Sequence, residues 1–293
     1  MTLRPRRVHL IPPVSYQGGK RRQAPEIVRH MALDPETPFY DLCCGSGAVS
    51  LELISRGHNP AKITMVDAGP WGDVWRLVGA GEFGVSALEQ VAQPLLRARK
   101  HDPAIPNLLA RLAEDYPPSH RLAPYAFLLM QSGAFGCKAI SVFSERWRIP
   151  GWSTPGDRQH PPLIPEPDVL LGRMDIICRY GKGITGIKAC ATSLLPQAGA
   201  VVYVDPDYKG STSYGHSLNP AEVTSLWAEN AVYVSEQIPL SSSARLIRSR
   251  KRGGITGLST NKVATTEYLS LFNADWPTPD VDRVQQMSLF EGF

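Results

Sequence analysis

The chain has 293 residues, 43% hydrophobic and 20% charged, enough apolar material for the core of one large domain or two modest ones. Its formal charge of +4 permits a polyanionic partner. Five cysteines, two of them adjacent, form neither a disulfide framework nor a metal-ligand spacing, and suggest a reducing compartment. There is no signal-peptide pattern and no apolar run of about 18 residues, so a soluble, cytoplasmic chain without a membrane partner is expected.

Residues 1–13, with Arg4, Arg6 and Arg7, read as an arm. The stretch Tyr16, Gln17, Gly18, Gly19, Lys20 follows. Paired glycines let backbone come close to a ligand, and Lys20 offers a cation to a carboxylate or phosphate. Pro25 opens a helix over 25–31. Residues 39–55 read as strand, glycine turn (Gly45, Gly47) and helix. A second strand over 63–67 ends in Asp67, about 20 residues past the glycine turn, where nucleoside-binding folds place an acid on the ribose hydroxyls. Together these segments make a nucleoside-binding unit.

Between 70 and 185 the texture changes, with helical stretches over 84–99, 106–115, 122–132 and 166–179. Lys138, Arg146, Trp147, Arg148, Trp152 and Arg158 interleave cations with aromatics. That mixture suits phosphate contact and base stacking, or equally an ordinary solvated insertion. Val201 to Val204 is apolar and largely β-branched, a short buried strand, and Asp205, Pro206, Asp207 and Tyr208 follow at once. Proline stops the strand, leaving Asp205 at its carboxyl end, where open α/β sheets hold ligands. A carboxylate and the Pro206 carbonyl can accept from an amino group, and Tyr208 can stack on a base. A helix over 220–230 and a strand over 231–235 come next. The Ser/Arg/Gly-rich stretch 241–254, with Arg248, Arg250 and Lys251, is expected to be a basic loop, and 265–272 a closing strand.

The order of these motifs, Tyr16-x-Gly18-Gly19-Lys20, then Asp41 with Gly45-Ser46-Gly47-Ala48-Val49, an insertion containing Phe135-Gly136, then Asp205-Pro206-x-Tyr208, resembles the Dam-type (alpha-group) DNA adenine-N6 methyltransferase family. The resemblance spans roughly residues 12–273, and Lys262, Glu267 and Leu269 add an echo of the family's C-terminal stretch. It implies a Rossmann-like α/β sheet binding S-adenosylmethionine, with helices on both faces, formed by 1–69 and 186–275. It also implies a largely helical DNA target-recognition region inserted over 70–185, and leaves 276–293 as a tail. The implied cofactor residues are Tyr16, Gln17, Gly18, Lys20, Asp41, Cys43, Gly45, Gly47 and Asp67. Asp205, Pro206 and Tyr208 would act on a flipped adenine, with no metal. Lys138, Arg146, Arg148, Arg158, Arg248, Arg250 and Lys251 would meet double-stranded DNA. The chain departs from the family at Asp207, where proline is usual, at Lys188 to Ala191, which lack an acid, and at Gly133-Ala134-Phe135-Gly136, which lacks the asparagine of Phe-Asn-Gly. Cytosine-N4 transfer and a silent cofactor- and DNA-binding module are therefore the alternatives, and a restriction partner is not specified. In the tail, Gln286, Met287, Ser288, Leu289 and Phe290 resemble the pentapeptide by which bacterial replication proteins dock on the sliding clamp. The competing reading folds Leu289, Phe290 and Phe293 back onto the protein.

Overall fold

The computed structural model describes residues 8–15, 18–154, 162–206, 218–252 and 263–277. Pro25 starts α1 (Ala24–Met31), which buries Ala24, Ile27, Val28 and Met31 at helical spacing and ends on a left-handed Ala32. β1 (Phe39–Leu42) runs into the glycine turn and α2 (Ala48–Ser55), then β2 (Ile63–Asp67). α3 (Pro70–Ala80), α4 (Val85–Arg97), α5 (Ile105–Asp115) and α6 (Ala123–Gly133) follow. A hairpin of β3 (Ser141–Phe143) and β4 (Arg146–Arg148) leads to α7 (Pro167–Tyr180), β5 (Thr185–Lys188) and β6 (Val201–Val204). α8 (Pro220–Leu226), capped by the Asn219 side chain, β7 (Ala231–Glu236), β8 (Arg245–Arg252) and β9 (Val263–Phe272) complete the chain.

Seven strands form one mixed sheet in the order β5-β2-β1-β6-β7-β9-β8. The first five are parallel, and β9 and β8 join antiparallel. The parallel strands therefore step outward from β1 in both directions, and the winding reverses between β1 and β6. A crevice opens at the carboxyl ends of such a reversal because the flanking connections leave in opposite directions.

Alternation along the strands sorts side chains to two faces. Phe39, Ile63, Met65, Tyr203, Tyr233, Leu269 and Leu271 join the larger core, to which α1 to α7 all contribute. Leu42, Val66, Val202, Val204, Val232 and Val234 join a smaller one under α8, with Val223 and Trp227. The sequence was expected to begin an insertion at residue 70, yet α3 lies directly on β2 and β5. Its close approach depends on glycines. A Cβ on Gly79 would stand 1.8 Å from the Ile184 carbonyl, and one on Gly186 2.1 Å from the Arg76 nitrogen. α4 to α7 then build a helical layer on α3, with Phe127 of α6 edge-on to Trp71 at 5.1 Å.

The stretch 241–254 is corrected by the structure: residues 245–252 form β8 rather than a loop. Its Ser/Arg composition reads locally as a loop, but the ladder that holds it is supplied by β9, which lies further along the chain. Trp276, at the start of the expected tail, packs edge-on to Tyr233 at 5.6 Å, with Arg245 4.0 Å over its ring. Among the described residues no helix is long and apolar enough to cross a membrane.

Candidate active site

Strand register brings the predicted acids together. Leu42 pairs with Val66 on one side and Val204 on the other. One residue further on lie Cys43, Asp67 and Asp205, all at the carboxyl end where the winding reverses. By period two, Asp41, Asp67 and Asp205 belong to the larger-core face.

The turn after β1 is a tight construction. Cys43 has φ 65°, and Gly45 and Gly47 have φ 48° and 73°. A Cβ on Gly47 would stand 2.5 Å from Met65 Cε and 2.6 Å from the Trp75 ring, at a φ that favours glycine. The Trp75 indole donates to the Gly45 carbonyl at 2.8 Å. Asp67 accepts from the backbone nitrogens of Gly45, at 3.1 Å, and Gly69, at 2.7 Å, tying the glycine turn to the second strand end. Asp41 is buried and accepts from the Ser50 hydroxyl at 2.6 Å. Burial pushes its carboxyl up to about 7, against that hydrogen bond and helped by the neighbouring charges of Asp205 and Asp67.

Lys20 is the cation of this region. It is buried, with 4% of its side chain exposed, and its ammonium donates to Asp205 and to the Gly18 carbonyl at 3.2 Å. Glu267 Oε1 on β9 lies 3.6 Å from the same nitrogen. Burial alone would lower the Lys20 pKa, but the two carboxylates overcome it and hold it above the ordinary value. Asp205 keeps 19% of its side chain exposed. Burial pushes its carboxyl up to about 7 despite Lys20, with Glu267 and Glu236 adding to the rise. Among the described residues, this strand end thus gathers crowded acids around the Lys20 ammonium. Burial raises the Cys44 thiol, and the charges of Asp67 and Asp41 add to the rise, which favours its protonated form.

Gly18, Lys20, Asp41, Cys43, Gly45, Gly47, Asp67, Asp205 and Pro206 therefore gather at the carboxyl end of the central parallel strands. Tyr16, Gln17, Tyr208 and Arg158 lie outside the described residues, as do Gln286 to Phe290. Sequence reasoning passed over Trp75, Ser50 and Glu236. Trp75 belonged to the expected insertion, and only the packing of α3 on the sheet reveals its place.

Of the expected DNA-contacting cations, Lys138, Arg146 and Arg148 are exposed. Ser144 and Glu145 turn the hairpin with φ 46° and 61°, so Phe143 pairs with Arg146 and Ser141 with Arg148. Val142 and Trp147 share the opposite face. Trp147 stacks on Phe127 and donates to the Tyr116 carbonyl at 2.8 Å, fixing the hairpin to the helical layer. The outer face presents Phe143, 73% exposed, directly across from Arg146, with Arg148 opposite Ser141 on the same face. Arg248 lies half-buried on β8, the strand that also carries Arg250 and Lys251, whose side chains are outside the described set. No protein-family model matches the chain, and no curated protein matches it either.

Proposed function

We propose that this protein transfers a methyl group from S-adenosylmethionine to N6 of adenine in double-stranded DNA. The observation that carries the reading is Asp205 with Pro206 at the carboxyl end of β6, beside the glycine turn of β1, where the parallel winding reverses. The sheet is read here as Rossmann-like and as the platform for this cofactor. The residues present suit the cofactor: among the described residues at the crevice acids outnumber the Lys20 ammonium, and S-adenosylmethionine brings a sulfonium and an ammonium against one carboxylate. Lys20 and Gly18 would hold its methionine end, and Asp41, Cys43, Gly45, Gly47 and Asp67 its nucleoside end. When bound, it supplies an electrophilic methyl group.

The chain's own part is positioning. The Asp205 carboxylate and the Pro206 carbonyl accept from the amino group of a base turned out of the duplex, fixing its nitrogen for attack, and Tyr208 supplies a stacking ring. The Phe143, Arg146 and Arg148 face offers a ring and two cations to the duplex, and β8 adds further cations. The tail pentapeptide 286–290 is proposed as a sliding-clamp contact, which anisotropy of a labelled 281–293 peptide against a bacterial clamp tests, with Leu289→Ala plus Phe290→Ala as control.

The deciding experiment digests DNA treated with labelled cofactor to nucleosides. N6-methyladenosine is expected. N4-methylcytidine would move the reading to cytosine, and no product would leave a binding module. Asp205→Ala is expected to lower transfer by more than about 10²-fold, the usual scale of a positioning effect, while cofactor binding persists by calorimetry.

A further inference from the structure

Residues 8–15 lead toward Gly18 and Lys20 without forming helix or strand, so isolated contacts hold them in place. Leu10 and Val14 are buried, and the Leu10 nitrogen donates to the Ser55 hydroxyl at 3.0 Å. Between them stand Pro12 and Pro13. Proline has no N–H and a φ held near about −65°, so this step is stiff and its backbone can be fastened only through its carbonyls. Arg173 of α7 fastens both. One terminal nitrogen of its guanidinium donates to the Pro12 carbonyl at 3.3 Å and to the Pro13 carbonyl at 3.1 Å.

Arg173 does not serve as an ordinary surface cation. It is half-buried, and Asp175, the acid two positions on, pairs with Arg179 instead. The charged group that acts on Arg173 is a second cation, Arg21, which directly follows Lys20. Burial first, and then Arg21, lower the Arg173 pKa. Holding a guanidinium partly out of water beside another cation is costly unless its donors are used. Here they are used on the chain that leads to the glycine loop.

We propose that Arg173 is a positioning residue for the cofactor loop at Gly18 and Lys20. This rests on the function proposed above and deepens the same site. On its far side the loop is fixed by the start of α1, where the nitrogens of Gln23 and Ala24 donate to the Lys20 carbonyl at 2.8 and 2.7 Å. On its near side the fixed point is the proline step on α7. Pro13 lies five positions before Gly18, so a shift of that step is carried into the loop. Releasing it lets the Gly18 carbonyl and the Lys20 ammonium move away from where the methionine end would sit. The loop would then have to be ordered by the cofactor itself, which lowers affinity without altering Asp205 or Pro206.

Two measurements test this. Calorimetry with S-adenosylmethionine is expected to show affinity reduced on the order of 10-fold in Arg173→Ala, the scale of lost hydrogen bonds from a charged donor. At saturating cofactor kcat should stay within about twofold of wild type. Arg173→Lys, which keeps a cation able to donate to carbonyls, should recover part of the loss, and Arg179→Ala on the same helix should leave affinity unchanged. Unchanged affinity in Arg173→Ala, or a kcat that falls as far as the affinity, overturns the proposal. Hydrogen exchange of the free protein needs neither cofactor nor activity. Arg173→Ala is expected to speed exchange at Ser15 and over residues 20–24 while α4 and α6 keep wild-type rates. Unchanged exchange over 20–24, or faster exchange spread through α4 and α6, overturns the positioning role. A wild-type protein that does not bind S-adenosylmethionine, with faster exchange confined to the loop in Arg173→Ala, would sink the functional reading and leave the positioning role standing.

Discussion

Asp41 shows what burial of one carboxyl does to the whole protein. Its group titrates near 7 in the fold and at about 4 in an unfolded chain. Between those values the folded state holds the extra proton, so by linkage stability falls as pH rises from about 4 to about 7. Above that window the folded protein carries an ionised, poorly solvated acid that the unfolded chain does not penalise. Asp41→Asn keeps an oxygen to accept from Ser50 and removes the charge. The variant is therefore expected to melt at a higher temperature than wild type at about pH 8 and at nearly the same temperature at about pH 4, below the window. A wild type more stable than the variant at the higher pH would contradict the assigned burial cost.

Among the elements, α3 and β5 carry an unusual demand. Gly72, Gly79 and Gly186 leave no space for a Cβ against the facing backbone, which lets the helix lie on the strand and bring Trp75 under the glycine turn. Alanine is the better helix former at position 79 by about 1 kcal/mol, so propensity alone would predict stabilisation. Overpacking opposes it, at roughly 1–3 kcal/mol or more where the obstacle is backbone. Gly79→Ala is expected to lower the urea unfolding free energy by about that amount. Because α3 supports Trp75, it should also weaken cofactor binding. A neutral or stabilising result would place α3 further from β5 than it stands here.

Across the whole molecule, the cations are divided between internal and external work. Arg245 is committed inside, with its guanidinium at the His30 ring nitrogen (2.9 Å) and over Trp276, and Lys20 serves the acids of the crevice. Arg146 and Arg148 have no such engagement among the described residues and stand on the outer hairpin face beside Phe143. If they meet phosphates, each lost cation reduces the slope of log affinity against log salt by about one. Arg146→Ala plus Arg148→Ala is therefore expected to flatten the slope by about two and weaken binding across DNA sequences alike, as read by anisotropy in a salt series. An unchanged slope would mark the hairpin as a solvated projection.

What the sequence determined by itself is local. Val201 to Val204 are apolar and Pro206 cannot continue a ladder, so a strand ending at an acid follows from the chain alone, and the same holds for β2 ending in Asp67. Gly45 and Gly47 between an apolar strand and an apolar helix announce the turn because their backbone angles exclude most other residues. The tertiary structure decided everything that depends on distant partners. β8 is a strand because β9 hydrogen-bonds to it, while its own Ser and Arg residues favour a loop. β5 is four residues with a glycine and has no pattern of its own; β2 and α3 make it a strand. Lys20 and Asp205 stand 185 positions apart, and Glu267 is further still from Lys20. Charge pairing carries no periodicity, and only the reversed entry of β9 beside β7 brings the second carboxylate to the ammonium.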